Sequence, residues 1–300
     1  MSRTILITGA TGRQGGSAIK ALQGTDFEIL ALTRNSSSPS AQKLANSSPN
    51  IKLIEGDLDN TSAVFKNAAA ATNNPIWGVY SVQGKPAGDI TIEETWGKNL
   101  IDSSILANVK FFVYSSVDRG GEKSSSTPTD VPHWMTKHNI EKYLEEKAAG
   151  TQMKYAVLRP VAFMENITND FAGKAMASMW QYALKDRPLQ LIATKDIGAF
   201  AGEAFKHPEE YEGQYLSIAG AELTFDQANA IFKDKIGTDM PETFGFVACI
   251  ALAAVKSVGN MFNYLKKQGT GANVEECRKI YPSLMDFGTW LEKESQFRKQ

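Results

Sequence analysis

The stretch TILITGATGRQG, residues 4–15, decides the fold class of this chain. A short run of aliphatic and β-branched residues meets three glycines, and the pattern then becomes helical. In such a strand–turn–helix unit, Gly9 permits a tight turn, Gly12 lets the backbone approach a pyrophosphate, and Gly15 lets the helix pack on the strand. The first helical turn then favours negative charge. The stretch therefore predicts a dinucleotide site containing Gly9, Thr11, Gly12, Arg13, Gln14 and Gly15.

Composition excludes several classes of protein. Of the 300 residues, 42% are apolar and 22% charged, as in ordinary globular proteins. The 32 basic residues balance 33 acidic ones, so neither direct nucleic-acid binding nor an anionic membrane is indicated. Cys249 and Cys277 form no disulfide framework, and His138 and His207 have no cysteine or carboxylate partner at metal-ligand spacing, so no metal is predicted. The longest apolar run, residues 244–255, is shorter than the roughly 18–20 residues a bilayer needs. We expect a cytoplasmic protein, with the nucleus as a second location.

Strands and helices alternate along the first half of the chain. Apolar runs predict strands near residues 4–8, 27–32, 51–55, 76–82, 110–115 and 155–158. Helical patterns separate them, the clearest at residues 93–107 and 134–147. Because the apolar runs are nearly continuous, both faces of each strand are expected to be buried. The pattern predicts an α/β fold, a doubly wound parallel-sheet Rossmann fold.

After Pro160 the alternation loosens. Two further strand candidates, residues 189–193 and 214–218, lie among helices, and a long helical tail follows. We predict a dinucleotide-binding domain at residues 1–160. Residues 161–300 are predicted to form a smaller, mostly helical lobe for a substrate or partner, with one or two strands returning to the sheet.

The end of the second predicted strand selects the dinucleotide. An NAD-binding protein usually has an acidic residue there, to bind the ribose 2′-hydroxyl. This chain has TRN at residues 33–35 and no carboxylate until Glu55. A guanidinium at Arg34 can pair with a 2′-phosphate through two hydrogen bonds, which favours NADP(H); the alternative is a solvated loop arginine. Asp57 and Leu58 follow the third strand and are expected to bracket the adenine.

An ordered set of motifs extends this prediction to nearly the whole chain. GATGRQG, LTRN, EGDLDN, SVQG, SSVD, HWMTKHNIEKYLE, LRPVAFMEN and DIGAFA together resemble the NmrA-like family of atypical short-chain dehydrogenase/reductases. The match runs from residue 4 to about residue 205, with weaker similarity through VEECRKIYPSLMDFGTWLEK. The resemblance implies an extended Rossmann fold with NADP(H) across the strand edge. It also implies a nicotinamide end lined by Ser81, Val82, Gln83, Ser115, Val161, Ala162 and Phe163, with Asn166 on the same side of the cleft.

The segment HWMTK, residues 133–137, stands where typical short-chain reductases carry Tyr-x-x-x-Lys. In those enzymes the tyrosine donates a proton to the substrate carbonyl and the lysine lowers its pKa. Here Lys137 fills the lysine position, Ser115 or Ser116 fills the serine position, and His133 replaces the tyrosine. This departure argues against ordinary ketone reduction.

Two functions remain open for this site. In the first, Lys137 only holds the nicotinamide ribose, and the protein is a redox sensor that passes the state of NADP(H) to a transcription factor or enzyme, as NmrA-like regulators do. In the second, Lys137 or His133 is the acid/base of an NADPH-dependent oxidoreductase with a small apolar or aromatic substrate. Isoflavone-reductase-like enzymes, which use a lysine without the tyrosine, resemble this arrangement. A third interpretation makes His133 a surface residue in a loop after Pro132. We predict the regulator.

Overall fold

The computed structural model describes residues 2–84, 88–127 and 129–298, without the side chains of residues 246–249 and 251. The chain folds into two compact units. The first comprises Met1–Ser116, Thr136–Leu158 and Ile197–Leu216, and the second comprises Val117–Met135, Arg159–Asp196 and Ser217–Gln300. The units are interleaved along the chain, whereas the sequence prediction has one boundary, at residue 160.

The strands of the described residues fall into two sheets. In chain order they are β1 (Thr4–Ile7), β2 (Glu28–Thr33), β3 (Ile51–Glu55), β4 (Ile76–Ser81), β5 (Phe111–Ser115), β6 (Lys154–Pro160), β7 (Ala162–Phe163), β8 (Leu189–Ile192), β9 (Tyr215–Ile218) and β10 (Ala221–Leu223). The larger sheet has the order β3-β2-β1-β4-β5-β6-β9, and the smaller has the order β10-β8-β7.

Helices connect and cover these strands. They are α1 (Arg13–Ala21), α2 (Pro39–Ala45), α3 (Thr61–Ala71), α4 (Thr91–Leu106), α5 (Pro132–Ala148), α6 (Phe171–Leu184), α7 (Thr194–Lys206), α8 (Pro208–Tyr211), α9 (Phe225–Ile236), α10 (Gly245–Ala254), α11 (Lys256–Lys267), α12 (Val274–Ile280) and α13 (Phe287–Lys293). Within the described ranges, no helix has both the length and the apolar character needed to cross a membrane.

The larger sheet is parallel and flanked by helices, which confirms the predicted doubly wound α/β Rossmann fold. Every residue of β1 and of β5 is buried, which explains why their sequences are apolar runs rather than alternating patterns. Leu100 of α4 and Ile140 of α5 pack in the same apolar core as Phe112 of β5. These two helices are therefore packed against the sheet at β5.

The second half contains strands that the sequence prediction placed well and strands that it missed. The segment predicted at residues 214–218 is β9, the neighbour of β6 in the larger sheet. The segment predicted at residues 189–193 is β8, which lies in the separate three-stranded sheet. Its partners β7 and β10 are only two and three residues long, too short for a period-two pattern to reveal.

Close packing of α7 on α1 explains why residues after 196 belong to the first unit. A Cβ atom added at Gly198 would lie 2.3 Å from the backbone carbon of Ser17, and one at Gly202 would lie 2.9 Å from Cβ of Ala21. Further along α7, Phe205 packs edge-on against Phe111, with ring centroids 6.0 Å apart. The late helix therefore completes the early domain.

Candidate functional site

The geometry of the turn after β1 requires glycine at positions 9 and 15. Gly9 has φ +58°, a left-handed conformation that favours glycine. The N–H of Gly12 donates to the carbonyl oxygen of Gly9 at 2.9 Å, which closes the turn. A Cβ atom at Gly15 would lie 2.3 Å from that same oxygen, so α1 can start this close to β1 only with glycine there. The roles expected of Gly9 and Gly15 are present in this turn, and the role of Gly12 toward a pyrophosphate stays a prediction.

A threonine joins the ends of β1 and β4 beside this turn. The Thr8 hydroxyl donates to the carbonyl oxygen of Val82 at 2.9 Å and accepts from the Val82 N–H at 2.8 Å. Strand order reverses between these two strands, since β2 follows β1 in sequence but lies on its other side. Ligands of open α/β sheets bind at such a reversal, outside the carboxyl ends of the strands.

The N-terminus of α1 is open to an anion. Its N-cap is Gly12, with an extended backbone, and no side chain caps the first turn. The first turn also contains no acidic residue. The N–H groups of a helix's first turn have no acceptor within the helix, which is why phosphates bind at helix N-termini.

A cleft of about 250 Å³ extends from this turn toward the ends of β2 and β3. It is lined by Gly9, Thr11, Gly12, Leu32, Thr33, Arg34, Gly56, Asp57, Leu58, Val82, Gly84 and Trp96. The structure therefore brings predicted residues from four separate motifs into one cleft. Because whole small-ligand pockets span roughly 300–1,000 Å³, this cleft suits one half of an extended dinucleotide.

Trp96 lines the cleft but lies outside every motif that the sequence analysis used. Its indole Nε1 donates to Oδ1 of Asp59 at 2.6 Å, which fixes the ring over this side of the cleft. The sequence signal is an aromatic residue within the predicted helix at residues 93–107, and an aromatic residue at helical spacing usually indicates core. The contact joins residues 37 positions apart, so local pattern could not have predicted it.

Glu55 lies closer to the Arg34 loop than the sequence suggests. It is the cross-strand partner of Thr33 at the end of β2. Its carboxylate accepts hydrogen bonds from the Ser36 N–H at 3.1 Å and the Ser36 hydroxyl at 2.5 Å, and these bonds lower the pKa of Glu55. The carboxylate thus anchors the loop after β2. The Arg34 side chain is exposed, with no hydrogen bond or ion pair of its own to any residue that the structure describes.

Buried polar groups gather at the ends of β4 and β5, on the other side of β1. The Ser115 hydroxyl donates to Oε1 of Gln14 at 2.6 Å, and the Ser116 hydroxyl donates to the Glu141 carboxylate. Gln83 Nε2 donates to the Ser81 hydroxyl at 2.8 Å. The side-chain amide oxygen of Gln83, Oε1, is buried without a hydrogen-bond partner in the described part of the chain. Such an orphaned acceptor fits a site for a ligand that donates hydrogen bonds.

Lys137 is paired with a carboxylate that the sequence analysis did not anticipate. Its Nζ lies 2.7 Å from Oε1 of Glu93, and the Thr136 hydroxyl donates to Oε2 of Glu93 at 3.0 Å. Glu93 is only 6% exposed. The two helices approach closely here, because a Cβ atom at Gly97 would lie 2.5 Å from Cδ1 of Ile140. The Lys137–Glu93 pair therefore lies in an enclosed position between α4 and α5.

His133 lies in the first turn of α5, so its assignment to a loop after Pro132 is wrong. The helix begins at Pro132, where the missing N–H of proline costs nothing. The His133 ring is half-buried and makes an edge-to-face contact with Trp134, at 5.9 Å between centroids. Trp134 in turn packs edge-on against Tyr264, within the same unit.

The remaining predicted residues belong to the second unit. Val161 is buried directly after β6, Phe163 is half-buried in β7, and Asn166 is exposed at the end of a short 3-10 turn. Their assignment to the nicotinamide end stays a prediction.

His207 does have carboxylate neighbours, contrary to the sequence analysis. Ligand atoms of His207, Glu209 and Glu210 lie within 4.8 Å of one another, because α8 turns the chain immediately after the histidine. All three side chains are exposed, and exposed acidic groups commonly cluster without an ion. The histidine also lies 3.7 Å from Glu203 of the preceding turn.

The profile of the NmrA-like family matches residues 1–291. The chain belongs to this family. The NmrA-like oxidoreductase hkm9 of Aspergillus hancockii is 34% identical over 259 residues, which are 79% of this chain and 73% of that protein. The NmrA-like oxidoreductase ptmS of Penicillium ochrochloron is 32% identical over 167 residues, but this match covers only 55% of the chain and 48% of that protein.

Solved structures of the family have the same fold. NmrA, a negative transcriptional regulator, aligns in complex with NAD at a TM-score of 0.72 and 18% identity, over 98% of this chain and 95% of the other. Its complex with NADP aligns over the same shares at a TM-score of 0.71 and 19% identity. These NmrA-like relatives thus include proteins described as oxidoreductases and one described as a regulator.

Proposed function

We propose that the chain binds NADP(H) in the cleft of its first unit and acts as a regulator that responds to the state of the dinucleotide. The pyrophosphate would lie on the N-terminus of α1, and the adenosine half would lie in the cleft beside β2 and β3. When bound, the group supplies a redox-active nicotinamide. NmrA, which binds NAD and NADP, has the same fold.

Support for the dinucleotide comes from the shape and charge of the cleft. A side chain at Gly12 would occupy the space in which a pyrophosphate approaches the backbone. Arg34 lines the cleft with an exposed guanidinium, suited to a 2′-phosphate. The buried, unpaired oxygen of Gln83 accommodates a hydrogen-bond donor at the other end. This set favours NADP(H) over NAD(H).

The observation that carries the regulator is the engagement of Ser115, Ser116 and Lys137, the three side chains of the first unit that stand at the serine and lysine positions of short-chain reductases. The Ser115 hydroxyl donates a hydrogen bond to Gln14, and the Ser116 hydroxyl donates one to Glu141. Lys137 forms an ion pair with Glu93. A histidine replaces the tyrosine of typical short-chain reductases. General acid catalysis needs a group free to hand over its proton at the reacting atom. The 2.7 Å contact with Glu93 supports a holding role for Lys137 over proton transfer.

A reductase is the second candidate, and two observations favour it. Relatives at 32–34% identity are described as oxidoreductases. His133 is half-buried in a helix rather than in a loop, and histidine titrates near neutral pH without help. Such an enzyme would reduce a small apolar or aromatic substrate, with His133 or Lys137 as the proton donor.

Stopped-flow measurement of NADPH consumption separates the two functions. The assay compares wild type, Lys137→Ala and His133→Phe against a panel of ketones, quinones and enones. Lys142→Ala is the matched control, because Lys142 also lies on α5 but pairs with Glu145 at the surface. If the protein is a regulator, NADPH is consumed in the presence of each of the four proteins no faster than in buffer alone. Steady turnover by wild type and Lys142→Ala, with a 10²–10⁴-fold loss in either active-site variant, would establish the reductase instead.

A further inference from the structure

The Glu93–Lys137 pair lies on the side of the sheet that the nicotinamide half must occupy. The adenosine cleft extends from the glycine turn toward β2 and β3. An extended dinucleotide crossing β1 therefore places its other half over β4 and β5, on the opposite side of β1. Glu93 is the third residue of α4, which follows β4, and Lys137 lies in the second turn of α5, which follows β5.

The two redox states of the dinucleotide differ in charge at this end. The oxidised nicotinamide ring carries one positive charge, and the reduced ring is neutral. A lysine near the ring without a partner would repel the oxidised form and leave the reduced form unaffected. A lysine paired with a carboxylate presents almost no net charge and removes this bias.

We propose that Glu93 sets the preference of the site between NADP+ and NADPH, by neutralising Lys137 beside the nicotinamide. This inference rests on the proposed dinucleotide site and specifies how that site distinguishes redox states. The burial of Glu93 strengthens the effect, because charges enclosed by protein are screened less than exposed ones. The Thr136 hydroxyl on the second carboxylate oxygen keeps Glu93 directed at the lysine.

The substitution Glu93→Gln removes the negative charge and keeps an oxygen for the Thr136 hydroxyl. We expect the ratio of dissociation constants, NADP+ over NADPH, to rise about tenfold, because an uncompensated ammonium opposes only the cationic ring. Partial unfolding lowers both apparent affinities by the same factor, so the ratio is unaffected by a loss of stability. A purely structural role for Glu93 would leave the ratio unchanged.

Glu94→Gln is the matched control. Glu94 is the next residue of α4 and also spans to α5, where its carboxylate accepts from Asn139 at 2.8 Å and pairs with Lys98 at 2.6 Å. It loses the same unit of charge but leaves Lys137 paired. Its ratio should remain that of wild type.

The experiment is isothermal titration calorimetry of NADP+ and NADPH against wild type, Glu93→Gln, Glu94→Gln and Lys137→Met. A tenfold rise in the ratio for Glu93→Gln alone supports the proposal. An unchanged ratio, or an equal rise in Glu94→Gln, overturns it. If Glu93→Gln does not fold, Lys137→Met decides: it leaves the Glu93 carboxylate uncompensated beside the ring, so the ratio should fall about tenfold, and an unchanged or higher ratio also overturns the proposal. Wild type that binds neither dinucleotide refutes the proposed function itself, a different result from binding with an unchanged ratio.

Discussion

At the scale of single residues, Arg34 carries the choice of dinucleotide. Arg34→Asp replaces a guanidinium that suits a 2′-phosphate with a carboxylate that suits a 2′-hydroxyl. A charge-assisted contact contributes about 1.5–3 kcal/mol, so we expect a loss of roughly ten- to a hundredfold in NADP+ affinity and a gain for NAD+. Lys43→Glu, with the same charge change on exposed α2, is the control in the calorimetric titration. Unchanged NADP+ affinity in Arg34→Asp would mean that the 2′-phosphate lies elsewhere.

Trp96 offers a direct optical readout of the cleft. A nucleotide entering the cleft changes the surroundings of this indole, which is held by Asp59. We expect NADP+ to quench part of the wild-type tryptophan fluorescence and Trp96→Phe to abolish that change. Trp180→Phe, in the buried core of the second unit, is the control and should retain the quench. A full quench in Trp96→Phe would show that the signal arises from another tryptophan.

Asp196 makes stability depend on pH. Burial raises the pKa of this carboxyl from 3.8 to about 7, although the hydrogen bond from the Met285 N–H lowers it. The folded state binds this proton more tightly than the unfolded state does. The Asp196 carboxyl therefore contributes most to the free energy of unfolding at low pH, and the contribution is lost as the pH rises from about 4 to 7. Wild type should therefore lose unfolding free energy between pH 5 and pH 8 that Asp196→Asn does not lose. The difference in unfolding free energy, variant minus wild type, should rise by about 2–4 kcal/mol from pH 5 to pH 8. Urea unfolding at both pH values tests this, and equal differences at the two would contradict it.

At the scale of elements, two glycines in the turn between β1 and α1 have different roles: we expect Gly15 to matter for folding and Gly12 for binding. A Cβ atom at Gly15 would meet the Gly9 carbonyl oxygen at 2.3 Å, whereas one at Gly12 would meet it at 3.1 Å. We expect Gly15→Ala to lower the free energy of unfolding by several kcal/mol, because backbone must move. Gly12→Ala should remain folded but lose NADP+ affinity. Thermal melts and titrations of both variants test this contrast, and normal binding by folded Gly12→Ala would contradict it.

Elements formed by local pattern were predictable from the sequence, and contacts between distant elements were not. Buried runs such as residues 110–115 indicated strands, because a strand covered on both faces must be apolar. The pairing of Lys137 with Glu93 joins residues 44 positions apart on two helices, and neither residue shows a local signal of it. The packing of α7 on α1 through Gly198 and Gly202 is equally non-local.

At the scale of the whole molecule, the sequence predicted the fold more completely than the site. The fold class follows from the apolar runs and the glycine turn, because these features have the same structural roles in Rossmann folds generally. The engagement of Ser115 by Gln14 depends on where α1 and β5 meet in three dimensions, 101 residues apart. Such contacts distinguish a site that binds a dinucleotide from one that also catalyses its oxidation or reduction. They are visible only in the three-dimensional structure.

The measurement that tests the central claim most directly is calorimetric titration of the wild-type protein with NADP+, NADPH, NAD+ and NADH under one buffer condition. The account predicts one binding site per chain, with each phosphorylated dinucleotide bound roughly ten- to a hundredfold more tightly than its unphosphorylated counterpart. Equal affinities for the phosphorylated and unphosphorylated forms, or no heat of binding from any of the four, would contradict it.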